Sequence, residues 1–178
     1  YNPTIIISDF EPMSCIISNL LKIPLICVDN INFIAKCRID KRFQKSVTVR
    51  SIEYSKTFEG DYNFITTVFD IPLKEKFKKK NSLIGPIIRK QLLSKKKSAN
   101  ENILVYQTSQ SNNRLFEILK ETNEKYIVYG FNKSYKEKNL VFKKPNRYGF
   151  SKDLLACKAV ITNGGFSLIS EAVFLNKP

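Results

Sequence analysis

Short apolar runs alternate with polar turns and amphipathic stretches along most of the chain. Apolar runs bounded by turn signals are typical of buried strands, and apolar positions three or four residues apart indicate helices. The predicted strands are residues 5–7, 25–28, 63–69, 82–84, 103–106, 125–129, 140–142 and 159–162. The predicted helices are residues 13–21, 112–121, 152–157 (capped by Ser151) and 166–175, and residues 43–58 also show helical spacing. Strands that alternate with helices in this way predict an α/β fold with parallel sheets.

The pattern is interrupted once, between residues 89 and 102, where the composition changes to Lys, Ser and Asn. Such a stretch is typical of a linker, and the strand-helix pattern restarts after it. We therefore expect two Rossmann-like, doubly wound domains, residues 1–88 and 103–178, joined by a linker at 89–102. The chain starts at Tyr1 and stops at Pro178, where another strand is expected to follow. We expect a fragment in which both domains are incomplete.

Positive charge is concentrated in one segment of the chain. The formal net charge is +14, and residues 74–97 hold ten Lys or Arg residues against one acid, Glu75. A basic surface of this size attracts phosphate polyanions or an anionic membrane surface. A solvated lysine-rich surface is an equally good interpretation. No apolar run reaches the roughly 18 residues that span a bilayer, so no transmembrane helix is predicted.

The chain has four cysteines in no Cys-x-x-Cys pair, and it has no histidine. This excludes zinc sites of the Cys/His type and histidine-based catalytic triads within the stretch. Reduced thiols in a cytoplasmic protein are the expected state. No Asp-x-Asp sequence occurs, and no bound metal or cofactor is expected.

Two glycines, Gly164 and Gly165, follow Asn163 in the turn between a predicted strand and helix. Glycines let a backbone approach a ligand closely, and the free N–H groups of a helix N-terminus suit a diphosphate. Ser167 adds a hydroxyl in the first turn. Glu171 follows on the same helical face, where its carboxylate can accept hydrogen bonds from both hydroxyls of a ribose. Alternatively, the glycine pair only relieves steric crowding in an ordinary turn.

A second polar turn, residues 107–112, lies between the predicted strand 103–106 and the predicted helix 112–121. Its hydroxyls and amides, including Ser109 and Gln110, suit phosphate or sugar oxygens. The same residue types are ordinary helix N-caps, and that interpretation is the stronger one for this turn alone. Two polar turns at neighbouring strand ends of one sheet favour a ligand site more than either does by itself.

Residues 159–178 contain Asn-Gly-Gly-Phe-Ser-Leu-Ile-Ser-Glu-Ala followed by Leu-Asn-Lys-Pro. This segment resembles the donor-site motif of GT-B glycosyltransferases. The closest resemblance is to the family 28-like branch that forms the lipid-linked peptidoglycan precursor. Residues 107–111 align with its Gly-Gly-Ser-Gln-Gly loop but lack the glycines. Residues 84–89 resemble the crossing between the two domains of these enzymes. Residues 24–30 resemble the strand and acidic turn at the cleft between the domains. Residues 8–12 resemble the matching segment of a related group of uncharacterised transferases.

The resemblance implies transfer of a sugar from a nucleotide diphosphate, with a UDP-sugar favoured, to a lipid-linked or cell-envelope glycan. It implies a base contact within residues 146–150, by Tyr148 or Phe150. The implied donor-binding residues are Ser109, Gln110, Asn163, Gly164, Gly165, Phe166, Ser167, Glu171 and Tyr148. Asp9, Asp29 and Asn30 are expected on the acceptor side, and Glu11 as a helix cap. The catalytic base is expected outside this chain.

Two other functions share some of these features. A non-hydrolysing sugar-nucleotide epimerase has the same fold, although the absence of histidine argues against it. A basic nucleic-acid-binding protein would account for residues 74–97, but no recognisable reading module accompanies them. We therefore expect a hexosyltransferase, cytoplasmic or peripheral on the inner face of the membrane, with no nucleic-acid partner.

Overall fold

The structure is a computed structural model that describes residues 3–40, 59–93, 100–108 and 113–178. The chain divides into two compact units, Tyr1–Pro86 and Ile87–Pro178. Each unit has its own sheet, of four strands in the first and five in the second. The prediction of an α/β fold with separate, largely parallel sheets is confirmed. The predicted helical spacing at residues 43–58 lies outside the described residues.

The first unit has a parallel sheet whose strands lie in chain order. The strands are β1 (Ile6–Ser8), β2 (Leu25–Asp29), β3 (Tyr62–Thr66) and β4 (Asn81–Ile84). The described helices are α1 (Pro12–Leu21), α2 (Asn32–Lys36) and a 3-10 turn at Glu75–Phe77. Helices at crossovers between parallel strands place all the carboxyl ends of these strands at one edge.

Helix α1 begins where Glu11 caps it. The Glu11 carboxylate accepts hydrogen bonds from the backbone N–H groups of Met13 (2.8 Å) and Ser14 (2.7 Å). These bonds lower the pKa of Glu11, and Pro12 fits the first helical turn because its missing N–H is not needed there. The expectation that Glu11 is a helix cap is confirmed. Only part of the apolar surface of α1 is buried; Met13, Ile16, Ile17, Leu20 and Leu21 stay exposed.

Helix α2 was not predicted from the sequence. It follows β2 directly and its start is fixed by Asp29, whose carboxylate accepts from the backbone and side-chain nitrogens of Asn32, both at 2.7 Å. Its last residue, Lys36, is fully buried and donates to Glu59 (3.1 Å) and Asn81 (2.8 Å). The prediction of helices depends on a repeat of apolar residues at buried positions. Helix α2 has only five residues and a lysine at a buried position, so its sequence shows no such repeat.

The second unit has the strand order β7-β8-β6-β5-β9, and all neighbours are parallel except β7 and β8. The strands are β5 (Asn102–Tyr106), β6 (Lys125–Tyr129), β7 (Tyr135–Glu137), β8 (Leu140–Phe142) and β9 (Ala159–Thr162). The helices are α3 (Lys90–Leu93), α4 (Asn113–Lys120), α5 (Arg147–Ala156) and α6 (Phe166–Phe174). After β5 the chain adds strands on one side of β5, from β6 to β7, and then returns to add β9 on its other side. Ligands of open α/β sheets bind at such a reversal of strand order.

Both faces of the second sheet are buried. Successive residues of a strand point to opposite faces, and in this sheet they join two different core clusters. Leu104 and Ile127 join a core cluster with residues of α3, α5 and α6. Val105 and Val128 join a second cluster with Phe116 and other residues of α4. Helices thus cover both faces, as a doubly wound sheet requires.

Two predicted boundaries in this unit are wrong. The described part of the expected linker at 89–102 is packed structure, since Leu92 of α3 is fully buried in the core. Helix α5 begins five residues before the predicted start, and its cap is Asn146 rather than Ser151. Asn146 accepts from the N–H groups of Tyr148 and Gly149, whereas the Ser151 hydroxyl donates within the helix. Apolar residues are distributed around most of α5, so its sequence shows no clear helical period.

All four cysteines are free and buried. Burial raises the pKa of each thiol, and that of Cys27 rises to about 12. The thiolate, which is the reactive form, is therefore scarce at pH 8. We expect the native chain to react with Ellman's reagent far more slowly than N-acetylcysteine does, and all four thiols to react in urea. A native thiol that reacts as fast as N-acetylcysteine would contradict this burial.

Candidate functional site

A cavity of about 580 Å³ opens on the second unit where β5 and β6 end and where α5 and α6 begin. Its position matches the reversal of strand order between β5 and β9. The lining residues are Arg89, Tyr106, Tyr129, Pro145, Asn146, Arg147, Phe150, Gly165, Phe166, Ser167 and Leu168. They include two arginines and no carboxylate, so the wall favours an anionic ligand.

The first turn of α6 forms one wall of this cavity. Gly165 is the N-cap residue and gives no side-chain cap, so the first N–H groups of the helix have no such partner. Gly164 has φ 95°, which favours glycine, whereas a Cβ added at Gly165 would meet no atom within 4 Å. Steric relief inside the protein therefore does not explain Gly165. Uncapped N–H groups at the positive end of a helix are suited to bind an anion.

The loops that follow β5, β6 and β9 are packed against one another. The Asn163 side chain donates to the Thr108 hydroxyl at 2.9 Å, which joins the loops after β9 and β5. Gly130 follows β6 with φ 114°, and a Cβ there would lie 1.9 Å from the Gln107 carbonyl oxygen. Ser109 and Gln110, predicted in the same loop as Thr108, lie outside the described residues.

Glu171 is only 2% exposed and is not among the cavity-lining residues. Its two carboxylate oxygens accept from Arg89, one from Nε at 2.6 Å and the other from Nη2. The predicted ribose ligand is thus buried in an ion pair and is not part of the cavity wall. The helical spacing placed it correctly on α6, but its partner lies 82 residues earlier in the chain, where no local pattern connects the two.

Arg89 links this ion pair to the cavity. Its side chain is 33% exposed and lines the cavity, and its guanidinium lies 4.9 Å from the ring centre of Phe150. The hydrogen bond that Arg89 donates to Glu171 is the main cause of the raised pKa of Arg89. Arg89 belongs to the predicted domain crossing but was not predicted as a site residue, and neither was Arg147.

Phe150 is the aromatic residue of the wall. It packs edge-on against Tyr106 and Tyr129, with ring centres at 5.7 and 5.0 Å. The Tyr129 hydroxyl donates to Asp153 at 2.6 Å. The pKa of Tyr129 is raised, mainly because the hydroxyl is buried and secondly because it bonds this carboxylate. Tyr148, the other predicted base-stacking residue, is 74% exposed and is not in the lining. The structure thus places Phe150 in the cavity wall rather than Tyr148.

Lys177 of the Leu-Asn-Lys-Pro segment has a structural contact in this unit. Its ammonium donates to the backbone carbonyls of Leu155 (3.1 Å) and Cys157 (2.5 Å) at the end of α5. Cations at a helix C-terminus satisfy carbonyls that lack helical partners. This part of the predicted donor motif therefore holds α5 in place.

The predicted acceptor-side residues all lie in the first unit, near the carboxyl ends of its first two strands. Asp9 is exposed, Asn30 is half-buried, and Asp29 is buried with both oxygens bonded to Asn32. Their role towards an acceptor stays a prediction. Across the described ranges, no group of three metal-ligating side chains is found. Within the same ranges no helix has the length and apolar character needed to cross a membrane.

Comparison with known proteins agrees with this architecture. The sequence profile described as glycosyl transferase family 1 matches residues 1–178, so the chain belongs to that family. Among solved structures, it is similar to the glycosyltransferase SnogD from Streptomyces nogalater, with a TM-score of 0.51 and 13% identity. The match covers 99% of this chain and 53% of that chain. No curated protein sequence matches the chain.

The fold is therefore that of a GT-B glycosyltransferase, and the chain spans about half the length of the solved relative. Family membership favours glycosyl transfer over the epimerase and nucleic-acid-binding alternatives. The profile is that of family 1, so the finer resemblance to the branch that forms the lipid-linked peptidoglycan precursor stays a prediction.

The packing of Gly130 gives a stability test. Gly130→Ala forces a left-handed conformation and a collision with Gln107, and we expect a loss of roughly 2–4 kcal/mol of unfolding free energy. Gly165→Ala is the matched control: it meets no atom, so its cost should stay below about 1 kcal/mol. Urea titrations of both variants measure the difference, and equal midpoints would show that the loops are not packed as described.

Proposed function

We propose that the cavity of the second unit binds the nucleoside diphosphate of a sugar donor, and that the whole protein transfers a hexose from it. The observation that carries the proposal is the uncapped start of α6, which opens into a cavity lined by Arg89, Arg147 and Phe150. Membership of glycosyl transferase family 1 supports the reaction class. The preference for a UDP-sugar rests on the sequence resemblance.

The diphosphate would lie against the first turn of α6. The N–H groups there, the Ser167 hydroxyl and the Arg89 guanidinium supply hydrogen-bond donors, and Arg147 supplies positive charge. Donors that are fixed before reaction stabilise charge as it develops on the leaving group. The cleavage of the sugar–phosphate bond leaves its electrons on the diphosphate, so this is where negative charge increases.

The base would lie against Phe150. This ring is supported by Tyr106 and Tyr129, and the loop from Pro145 to Arg147 forms the adjoining wall. A cavity of about 580 Å³ is of the size that holds small-molecule ligands. Asn163 and Gly164 shape the turn next to the phosphate position. Ser109, Gln110 and Tyr148 stay proposed donor contacts on the resemblance alone.

The acceptor we propose is a hydroxyl of a lipid-linked or cell-envelope glycan, again on the resemblance. Asp9 is the predicted acceptor-side residue with an exposed carboxylate, whereas Asp29 already bonds Asn32.

Nucleotide titration tests the donor site. We expect UDP to bind the chain, and Gly165→Leu to weaken that binding by tenfold or more, about 1.4 kcal/mol, because the new side chain enters open cavity space. Gly85→Leu is the control, since a Cβ there also meets no atom but lies in the first unit. Isothermal titration calorimetry with UDP, GDP and dTDP measures affinity and base preference. Equal UDP affinity in wild type and Gly165→Leu would reject this site.

We further propose that the basic segment contacts an anionic membrane, which would place the enzyme peripherally on the inner face. Lys76, Lys78, Lys79 and Lys80 are exposed in the first unit. We expect co-sedimentation with vesicles that contain phosphatidylglycerol, with a loss of about 1 kcal/mol of binding for each lysine changed to glutamine. Equal recovery with neutral and anionic vesicles would contradict the proposal.

A further inference from the structure

The Asp153 carboxylate on α5 bonds two residues at the ends of neighbouring strands. Its Oδ2 atom accepts from the Tyr129 hydroxyl and from the Lys143 ammonium, both at 2.6 Å. The cavity-lining residues next to this network form the base-side wall, which consists of Tyr129, Pro145, Asn146 and Phe150. We infer that Asp153 and Lys143 are positioning residues, which hold the base-side wall in place and thereby set the affinity for the base. This inference rests on the proposed donor site.

The bonds of Asp153 join the three elements that carry this wall. Tyr129 is the last residue of β6, Lys143 directly follows β8, and Asp153 lies on α5. The ion pair between Lys143 and Asp153 ties the start of segment 143–146 to α5. The end of the same segment is tied to α5 by Asn146, which caps the helix. The segment is therefore fixed at both ends, and one of the two attachments is Asp153.

Tyr129 extends the network to the ring of Phe150. The two rings pack edge-on with their centres 5.0 Å apart, and Tyr129 is only 1% exposed. A Cβ added at Gly149 would lie 3.7 Å from the Tyr129 hydroxyl oxygen, so the first turn of α5 packs beside this hydroxyl. A buried hydroxyl needs a hydrogen-bond partner. The bond to Asp153 supplies it and fixes the ring that supports Phe150.

The charge of this part of the chain gives the Asp153 carboxylate a second effect. Residues 143–152 contain no acid and four cations, namely Lys143, Lys144, Arg147 and Lys152. Like charges repel one another, and a carboxylate among them offsets that repulsion. The Lys143 side chain is 40% exposed and that of Asp153 is 14% exposed, so water and salt screen their attraction only in part. Loss of either partner should therefore loosen the segment.

Two substitutions with opposite effects on charge test this role. Lys143→Met removes a positive charge and Asp153→Asn removes a negative one, and both break the ion pair. We expect both variants to weaken uridine, which has a base and no phosphate, by a similar factor of roughly three to ten. Pyrophosphate has no base, so it should follow the charge instead and bind more weakly only to Lys143→Met. Titrations followed by NMR measure both affinities.

Two further variants are controls for the ion pair. Lys143→Arg keeps the cation and should bind uridine within about twofold of the wild type. Lys158→Met is the matched control in the same unit, because Lys158 bonds Glu124 at 2.6 Å and its side chain is 36% exposed. Neither Lys158 nor Glu124 lines the cavity. Lys158→Met should therefore leave uridine affinity unchanged.

A ligand-free measurement tests the same role. The backbone N–H of Phe150 donates to the Asn146 carbonyl at 2.8 Å in the first turn of α5. We expect this N–H to exchange faster with solvent in Lys143→Met than in the wild type or in Lys158→Met, because one attachment of the segment is lost. Equal exchange in all three proteins would overturn the positioning role. Lys143 is the more exposed partner, so Lys143→Met keeps the test valid where Asp153→Asn fails to fold.

The binding results separate the failure of this inference from the failure of the donor site. Wild-type uridine affinity in both Lys143→Met and Asp153→Asn, with UDP still bound, overturns the inference and leaves the site in place. Equal weakening of uridine and pyrophosphate in both variants also overturns it, because that pattern indicates a general loss of structure. A wild-type chain that binds neither UDP nor uridine rejects the donor site and the inference with it.

Discussion

The reversal of strand order between β5 and β9 is the constraint on which the site depends. Because the chain continues from β5 to one side of the sheet and returns on the other, no crossover covers the carboxyl ends of these two strands. The loops there must close the space by packing against each other. The contact of Gly130 with Gln107 and the bond from Asn163 to Thr108 perform this closure, and what stays open is the cavity.

Two buried charges, Lys36 and Glu171, have partners that are distant in sequence. Lys36 bonds Asn81 across 45 residues, and Glu171 bonds Arg89 across 82. Such pairs add little net stability relative to apolar residues of the same volume, because desolvation offsets most of the attraction. Their geometric effect is larger. Each pair fixes one element relative to another, as Arg89 is fixed relative to α6.

The sequence predicts those parts of the fold that depend on local order. Strands such as residues 103–106 and 125–129 are predictable because a doubly covered sheet makes them almost continuously apolar, and β5 and β6 match them within one residue. The glycine turn before α6 was found because Gly164 needs its backbone freedom. Helix α2 and the start of α5 were missed because burial on several sides removes the helical period. The contact of Arg89 with Glu171 is not predictable from the sequence, because the two residues are 82 positions apart and no local pattern connects them.

All residues that line the cavity belong to the second unit. A molecule bound through them adds its binding free energy to the stability of that unit by mass action, about 2.7 kcal/mol at a hundredfold excess over Kd. The melting temperature of residues 87–178 would then rise with ligand concentration by an amount that these contacts alone determine. Heat denaturation can therefore detect ligand binding without an acceptor substrate or a completed reaction. The same measurement applies to nucleotides of any base.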